Sequence, residues 1–100
     1  MKVTLSSSAE EDLIDGFNFY ERQQQNLGEY FLNSLFADID SLALFAGVHP
    51  KPFGNLHRTS GRRFLFSIYY SVVGDVATVI GVLDSRQNPD RIRAKLSGRG

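Results

Sequence analysis

Four arginines stand near the ends of predicted strands, where their guanidinium groups are placed to act on an anion. Arg58, Arg62 and Arg63 flank the Ser60-Gly61 turn, and Arg86 follows the last apolar run. Guanidinium groups bind phosphate through paired hydrogen bonds and stabilise the charge of a phosphate that is being cleaved. Charges at a sheet edge also prevent aggregation between edges. The cluster therefore has two interpretations, an anion site or a protected edge.

Phosphate cleavage also needs groups that transfer protons, and the candidates near these arginines are His57, Tyr69 and Asp84. The second histidine, His49, is eight residues from His57 across a proline turn, a spacing unlike the helical histidine pairs of zinc enzymes. The chain has no cysteine, which excludes thiolate catalysis and a disulfide framework. We therefore predict no metal site and no cofactor.

The charges are unevenly divided although the formal net charge is zero. Residues 1–50 hold two basic and eight acidic side chains, whereas residues 51–100 hold nine basic and three acidic ones. Such asymmetry indicates a face for an anionic partner, either nucleic acid or an acidic protein. Attraction between the two halves inside one fold explains it equally well.

A chain of 100 residues supports one core, so we predict a single domain over residues 1–97 and a frayed tail at 98–100. The N-terminus becomes polar at once, unlike a signal peptide. No apolar stretch approaches the ~20 residues that span a bilayer. We therefore expect a soluble cytoplasmic protein without membrane contacts.

The first half predicts a short strand followed by two amphipathic helices. Lys2–Leu5 is β-like and is followed by three serines, Ser6–Ser8, any of which can cap a helix. Ser8 has Glu11 three residues later, a capping-box spacing, and the helix is expected to run to about Gln25. A second helix is expected to end near Gly47, before two prolines. Its solvent side is predicted to carry Ser34, Asp38 and Ser41. The apolar stripes of both helices need a sheet to cover.

The second half predicts a β-hairpin. Arg63–Val73 and Val76–Asp84 are rich in β-branched and aromatic residues and are joined by a two-residue Gly74-Asp75 turn. A strand near Asn55–Thr59 would pair with the first of them, and Asn88-Pro89 would start a short helix. The turn fixes a register in which Val73 faces Val76, Val72 faces Ala77, Tyr70 faces Val79 and Ile68 faces Gly81.

Alternation of side chains divides the hairpin into two faces. The face predicted to lie under the helices carries Phe64, Phe66, Ile68, Tyr70, Val72, Ala77, Val79 and Leu83. The other face carries Leu65, Tyr69, Ile80 and Val82 beside Arg63, and it is too apolar for open solvent. Either the C-terminal segment covers this face or a partner does, and we favour a partner.

Together these elements predict an α+β fold in the order β-α-α-β-β-β with a short C-terminal helix. The N-terminal helical hairpin would pack on a small, twisted, antiparallel sheet. Five segments then stand in a recognisable order: Ala9–Leu13, Phe17–Glu21, Leu27-Gly28 with Phe31, Arg62–Val72 and Val82–Pro89. Over about residues 2–96 this pattern resembles the RelE/ParE superfamily of bacterial toxins, and most of all its ParE-like branch.

The resemblance implies the toxin of a type II toxin–antitoxin system, of the plasmid-stabilisation kind, that a cognate antitoxin neutralises. ParE-like members inhibit DNA gyrase without nuclease chemistry, whereas RelE-like members cut mRNA in the ribosome. RelE-like enzymes carry a Tyr or His near the C-terminus, but Arg86–Gly100 contains neither. We therefore interpret the chain as a protein-binding gyrase inhibitor rather than an enzyme. Its antitoxin would bind Arg63, Leu65, Tyr69, Ile80 and Val82.

Two alternatives stay open. A RelE-like endoribonuclease would bind the scissile phosphate with Arg58, Arg63 and Arg86 and transfer protons with His57 or Tyr69, and only this alternative needs direct contact with nucleic acid. A non-toxic relic would keep the fold and the antitoxin surface but inhibit nothing.

Overall fold

The computed structural model describes residues 1–99 and contains four helices and four strands. In chain order these are β1 (Lys2–Leu5), α1 (Ser7–Gln23), α2 (Leu27–Asp40), α3 (Leu42–Phe45), β2 (His57–Ser60), β3 (Phe66–Val73), β4 (Val76–Asp84) and α4 (Pro89–Leu96). The predicted α+β class and order of elements are confirmed, with α3 as an addition. No helix among the residues described is long and apolar enough to cross a membrane.

Helix α1 is capped by Ser6, one of the three serines that could have taken this role. The Ser6 side chain accepts a hydrogen bond from the Ala9 N–H at 3.1 Å. The Ser6 N–H donates to the Val79 carbonyl at 2.9 Å, so the chain passes directly from the sheet into the helix. The helix ends at Gln23, two residues before the predicted Gln25.

The predicted second helix is divided at Ser41. Helix α2 ends at Asp40, and one further turn forms α3. The Ser41 hydroxyl donates to the Asp38 carbonyl at 2.6 Å, and a serine that bonds to the preceding turn competes with helical hydrogen bonding and bends a helix. The last helical turn ends at Phe45, near the predicted Gly47, but the break at Ser41 was not predicted. Gly47 has a φ of 96°, outside helical space.

The sheet has the strand order β1-β4-β3-β2 and is mixed. Strands β2, β3 and β4 are antiparallel neighbours, whereas β1 pairs in parallel with β4, from Lys2 opposite Val76 to Leu5 opposite Val79. Parallel pairing needs a long crossover connection, and the helices between β1 and the hairpin belong to it. The prediction of an antiparallel sheet therefore holds for three strands and is corrected at the β1 edge.

The hairpin register is confirmed near the turn and changes beyond it. Gly74 has a φ of 61°, as the first position of such a turn requires, and the pairs run as predicted to Tyr70 opposite Val79. The next pair is Tyr69 with Gly81, so Ile80 is an extra residue on β4 and forms a β-bulge. Ile68 consequently faces Val82, and the predicted pairing with Gly81 is wrong.

This one-residue shift exchanges the two faces of the last part of β4. Val82 joins the main core under the helices, and Leu83, which was predicted there, lies on the opposite face. The main core also contains Phe31, whose ring lies edge to face with Phe66 at 4.9 Å between centroids. Gly16 of α1 contacts this ring, so the two helices approach closely.

A second, smaller core lies on the other face of the sheet. Ile92 and Leu96 of α4 pack there with Tyr69 and Leu83, and Phe53 and Leu56 border them. Asn88 caps α4 by accepting the Asp90 N–H at 2.8 Å, and Pro89 stands in its first turn, as predicted. The C-terminal segment, rather than a partner, therefore covers this face in the free protein.

Arg99 lies in the segment 98–100 that was expected to form a tail. Its guanidinium group donates to both carboxylate oxygens of Asp12 in α1. Gly100 lies outside the described residues.

Candidate functional site

The predicted antitoxin surface is largely buried. Tyr69, Ile80 and Val82 are 1%, 6% and 1% exposed, whereas Leu65 is 62% exposed. Helix α4 covers Tyr69, and the bulge at Ile80 turns Val82 towards the helices. The premise of a continuous exposed apolar patch is therefore wrong. Of the five predicted residues, Arg63 and Leu65 are exposed, and both lie in the connection between β2 and β3.

A polar groove of about 290 Å³ runs beside α4 on the same face of the sheet. Arg58 and Tyr69 lie opposite each other on neighbouring strands and line it together. Three serines contribute hydroxyl groups, and the Oγ atoms of Ser67 and Ser85 are 2.7 Å apart. An arginine among hydroxyl groups is suited to binding an oxyanion. The structure thus brings together two of the five residues of the nuclease alternative.

The other two arginines of that alternative lie elsewhere. Arg86 binds Asp84, with Nε donating to Oδ1 at 3.0 Å and Nη2 donating to Oδ2 at 2.7 Å. This hydrogen bonding lowers the pKa of the Asp84 carboxyl below its ordinary value and raises the pKa of Arg86. Arg63 lines a different pocket, between the helices and the β2–β3 connection. Neither side chain lines the groove of Arg58 and Tyr69.

His57 lies on the opposite face from Tyr69. It pairs with Tyr70 across the strands, and its ring stacks on the Tyr70 ring at 4.9 Å between centroids. The His57 Nδ1 donates to the His49 carbonyl at 2.7 Å. Because consecutive residues of a strand point to opposite faces, His57 and Tyr69 do not act on one ligand. The role of His57 is to hold the Gly47–Pro50 segment against the sheet.

The hydroxyl of Tyr70 completes this arrangement, which the sequence did not indicate. It accepts the Gly47 N–H at 2.9 Å and contacts the Nδ1 atom of His49. A neutral His49 ring accepts from this hydroxyl when Nδ1 is unprotonated and donates to it in the other tautomer. Burial, and secondarily the charge of His57, lowers the pKa of His49, which favours this neutral form.

A second polar pocket, of about 260 Å³, lies between α2, α3 and β2. Asp38 in its wall was predicted to face solvent but is only 6% exposed, and Ser34 is also buried. The Arg62 N–H donates to Asp38 Oδ2 at 3.1 Å, so the carboxylate holds the start of the β2–β3 connection. The remaining lining residues are Ala37, Ser41, Phe45, Thr59, Ser60 and Arg63. Helical periodicity placed Asp38 on the polar side of α2 and gave no indication of this connection.

The side chains that could bind a metal ion do not cluster in residues 1–99. Across residues 1–99, no group of three or more His, Cys, Asp or Glu side chains is placed to hold a metal ion.

The helical hairpin on a four-stranded mixed sheet, closed by a short C-terminal helix, is a fold that this chain shares with a solved structure. The chain is similar to a solved chain of the chromosomal ParDE TA (toxin–antitoxin) system from P. aeruginosa, with a TM-score of 0.72 and 16% sequence identity. The similarity covers 84% of this chain and 95% of that chain. The expected fold is thereby confirmed. No protein-family model and no curated protein sequence matches the chain.

Proposed function

We propose that this protein is the toxin of a type II toxin–antitoxin system, that it inhibits DNA gyrase in the cytoplasm and that a cognate antitoxin neutralises it. The observation that carries this proposal is the similarity in fold to a ParDE chain over 84% of the residues. The ParE-like pattern of the sequence points to the same branch of the superfamily.

The distribution of the polar residues supports a binding protein rather than a nuclease. Phosphodiester cleavage needs anion-binding and proton-transfer groups around one reacting atom. Here Arg58 and Tyr69 line one groove, Arg63 lines another pocket, Arg86 is bound to Asp84, and His57 lies on the opposite face. No single ligand position meets all five groups.

The antitoxin contact is proposed to centre on Arg63 and Leu65, the two exposed residues of the predicted surface. An acidic-apolar segment complements this pair, because a carboxylate binds the guanidinium group and an apolar side chain covers Leu65. Tyr69, Ile80 and Val82 are buried in the free protein, and Tyr69 becomes a direct contact only when α4 leaves the sheet.

Binding measurements test this surface. Leu65→Ser is expected to weaken the complex with the protein encoded by the neighbouring reading frame, as measured by calorimetry. Val73→Ser changes another exposed apolar residue, 78% exposed against 62% for Leu65, at the hairpin tip and serves as the control. Equal affinities of the two variants would exclude Leu65 from the interface.

Expression from a tightly controlled promoter tests the target. We expect a DNA-damage response and filamentous cells, loss of supercoiling by purified gyrase, and normal growth when the neighbouring frame is co-expressed. Prompt arrest of translation with cleaved mRNA would contradict gyrase inhibition. Normal growth without the antitoxin would instead indicate the non-toxic relic that only binds the antitoxin.

The endoribonuclease remains the second candidate because Arg58 and Tyr69 share a hydroxyl-lined groove. If it is correct, Arg58→Ala abolishes mRNA cleavage. Arg86→Ala is the control, since Arg86 is exposed and bound to Asp84 away from that groove. Cleavage that survives Arg58→Ala would reject the groove as the catalytic site.

A further inference from the structure

Asp38 is a buried carboxylate in which only one of the two oxygens accepts a hydrogen bond. Oδ2 accepts the Arg62 N–H, but Oδ1 accepts no hydrogen bond, and the side chain forms no ion pair within residues 1–99. Every fully buried polar side-chain atom in that range has a hydrogen-bond partner, so Oδ1 keeps some contact with solvent, and Asp38 lines the pocket. A buried charge is costly unless it is paired. The open oxygen is therefore an acceptor for an external donor.

The surroundings of Asp38 favour a cation with several N–H groups. Ser41, Thr59 and Ser60 bring hydroxyl groups to the pocket, and each hydroxyl oxygen can accept a hydrogen bond. The exposed ring of Phe45 forms part of the wall, and the face of an aromatic ring attracts cations. Together these groups offer hydrogen-bond acceptors and an aromatic face to a ligand bound in the pocket.

Two arginines, Arg62 and Arg63, complete the lining and carry the opposite charge. Both are exposed, so water and salt screen their charges. Asp38 is buried, and its charge is screened much less. The interior of the pocket therefore attracts a cation, while the rim attracts anions that lie just outside.

We propose that this pocket binds an arginine side chain of a partner polypeptide, and that acidic residues on both sides of this arginine contact Arg62 and Arg63. The planar guanidinium group has five N–H donors, enough to bind the Asp38 carboxylate and neighbouring hydroxyl groups together. A lysine at this position has three donors and no planar fork, so it binds less well. This site shares Arg63 with the proposed antitoxin surface, but the proposal does not depend on the gyrase or antitoxin assignments.

Three short peptides test the pocket on the purified protein. Acetyl-Glu-Arg-Glu-amide is expected to bind at least about tenfold more tightly than acetyl-Glu-Gln-Glu-amide, which corresponds to about 1.4 kcal/mol. The lysine analogue should fall between them. In NMR titrations, the amide signals of Ser41, Thr59 and Arg62 should move. Equal binding of the arginine and glutamine peptides would overturn the proposal, and this comparison needs no variant.

Asp38→Asn separates the charge of the carboxylate from its structural role. The amide oxygen still accepts the Arg62 N–H, so the fold is retained, while the affinity for the arginine peptide should fall to that of the glutamine peptide. Asp40→Asn changes an exposed residue of the same helix and should leave binding unaltered. Undiminished binding by Asp38→Asn would refute the site.

Inorganic phosphate provides the opposite probe. The buried carboxylate should prevent phosphate from displacing the arginine peptide. Phosphate that moves the same amide signals while the arginine peptide does not would assign the pocket to an anion and overturn the proposal. Because these tests measure binding alone, their failure would leave the proposed toxin function untouched.

Discussion

Arg99 binds Asp12 across 87 positions of sequence. Nη1 donates to Oδ2 at 2.7 Å, Nη2 donates to Oδ1 at 3.2 Å, and the side chains are 19% and 10% exposed. Asp12 Oδ2 also accepts the Val82 N–H at 3.0 Å, at a point where β4 has passed beyond its pairing with β1. The ion pair thus fixes the segment after α4 to α1 and to the sheet.

Breaking this ion pair should destabilise the protein. Charge-assisted hydrogen bonds contribute about 1.5–3 kcal/mol when shielded, so Arg99→Gln should lower the free energy of unfolding by about 1–2 kcal/mol at this partly exposed site. Urea denaturation measures the change. Arg91→Gln, on the exposed side of α4, is the control and should have an effect within about 0.5 kcal/mol of zero. Indistinguishable midpoints would show that the pair contributes nothing.

Gly16→Ala should destabilise the protein although alanine is the better helix former. In an open helix the change would gain about 1 kcal/mol. Here the added Cβ would lie 2.5 Å from two atoms of the Phe31 ring, and overpacking of a core costs about 1–3 kcal/mol. Asn18→Ala, on the exposed side of α1, should be neutral or slightly stabilising. A Gly16→Ala protein with a raised melting temperature would contradict the observed contact between the helices.

Stability should fall as the pH is lowered through the range in which histidine titrates. Burial holds the pKa of His49 below its ordinary value of 6.5, so the unfolded chain binds a proton first, and protonation favours unfolding. The stabilisation is present above about pH 6.5 and is lost as the pH falls through the lower pKa of the folded state. His49→Asn keeps an acceptor near Tyr70 and should flatten the pH dependence of urea unfolding. An unchanged profile would exclude His49 as its source.

The pKa of Asp84 should depend on Arg86. Hydrogen bonding from Arg86 holds the pKa of this carboxyl below its ordinary 3.8. The ionised carboxylate therefore stabilises the folded protein above that value, and this stabilisation is lost as the pH falls through the lowered pKa. Arg86→Gln should raise the pKa of Asp84, which carbon-detected NMR titration of the side-chain carboxyl can measure. Arg91→Gln should leave it unaltered. A pKa that does not move would mean that the pair does not persist in solution.

Local sequence signals predicted much of the fold. The Gly74-Asp75 turn fixes the register of β3 and β4 because a two-residue hairpin loop allows only one pairing of the residues on either side. The predicted pairs were correct as far as Tyr70 with Val79. Asn88 and Pro89 likewise identified the start of α4. These features depend on a few adjacent residues and the backbone geometry that they allow.

Non-local features escaped prediction. The bulge at Ile80 was not predicted, although the adjacent Gly81 is an isolated glycine inside a strand, which often marks a bulge. Tyr69 was predicted to lie on an exposed patch because the sequence pattern did not indicate that α4 packs over it. Asp38 looks like a solvent residue of a helix, and its burial results from the approach of the β2–β3 connection. The candidate sites were thus less predictable than the fold.

The parallel pairing of β1 with β4 has a consequence for synthesis on the ribosome. The strand formed by residues 2–5 has no strand to pair with until residues 76–79 have been synthesised. Helices α1 and α2 emerge first, but their apolar stripes stay uncovered until the hairpin arrives, and such long-range closure slows folding. A partner that recognises the folded sheet therefore binds only after translation has passed β4, and until then the uncovered apolar stripes of the helices are prone to aggregation.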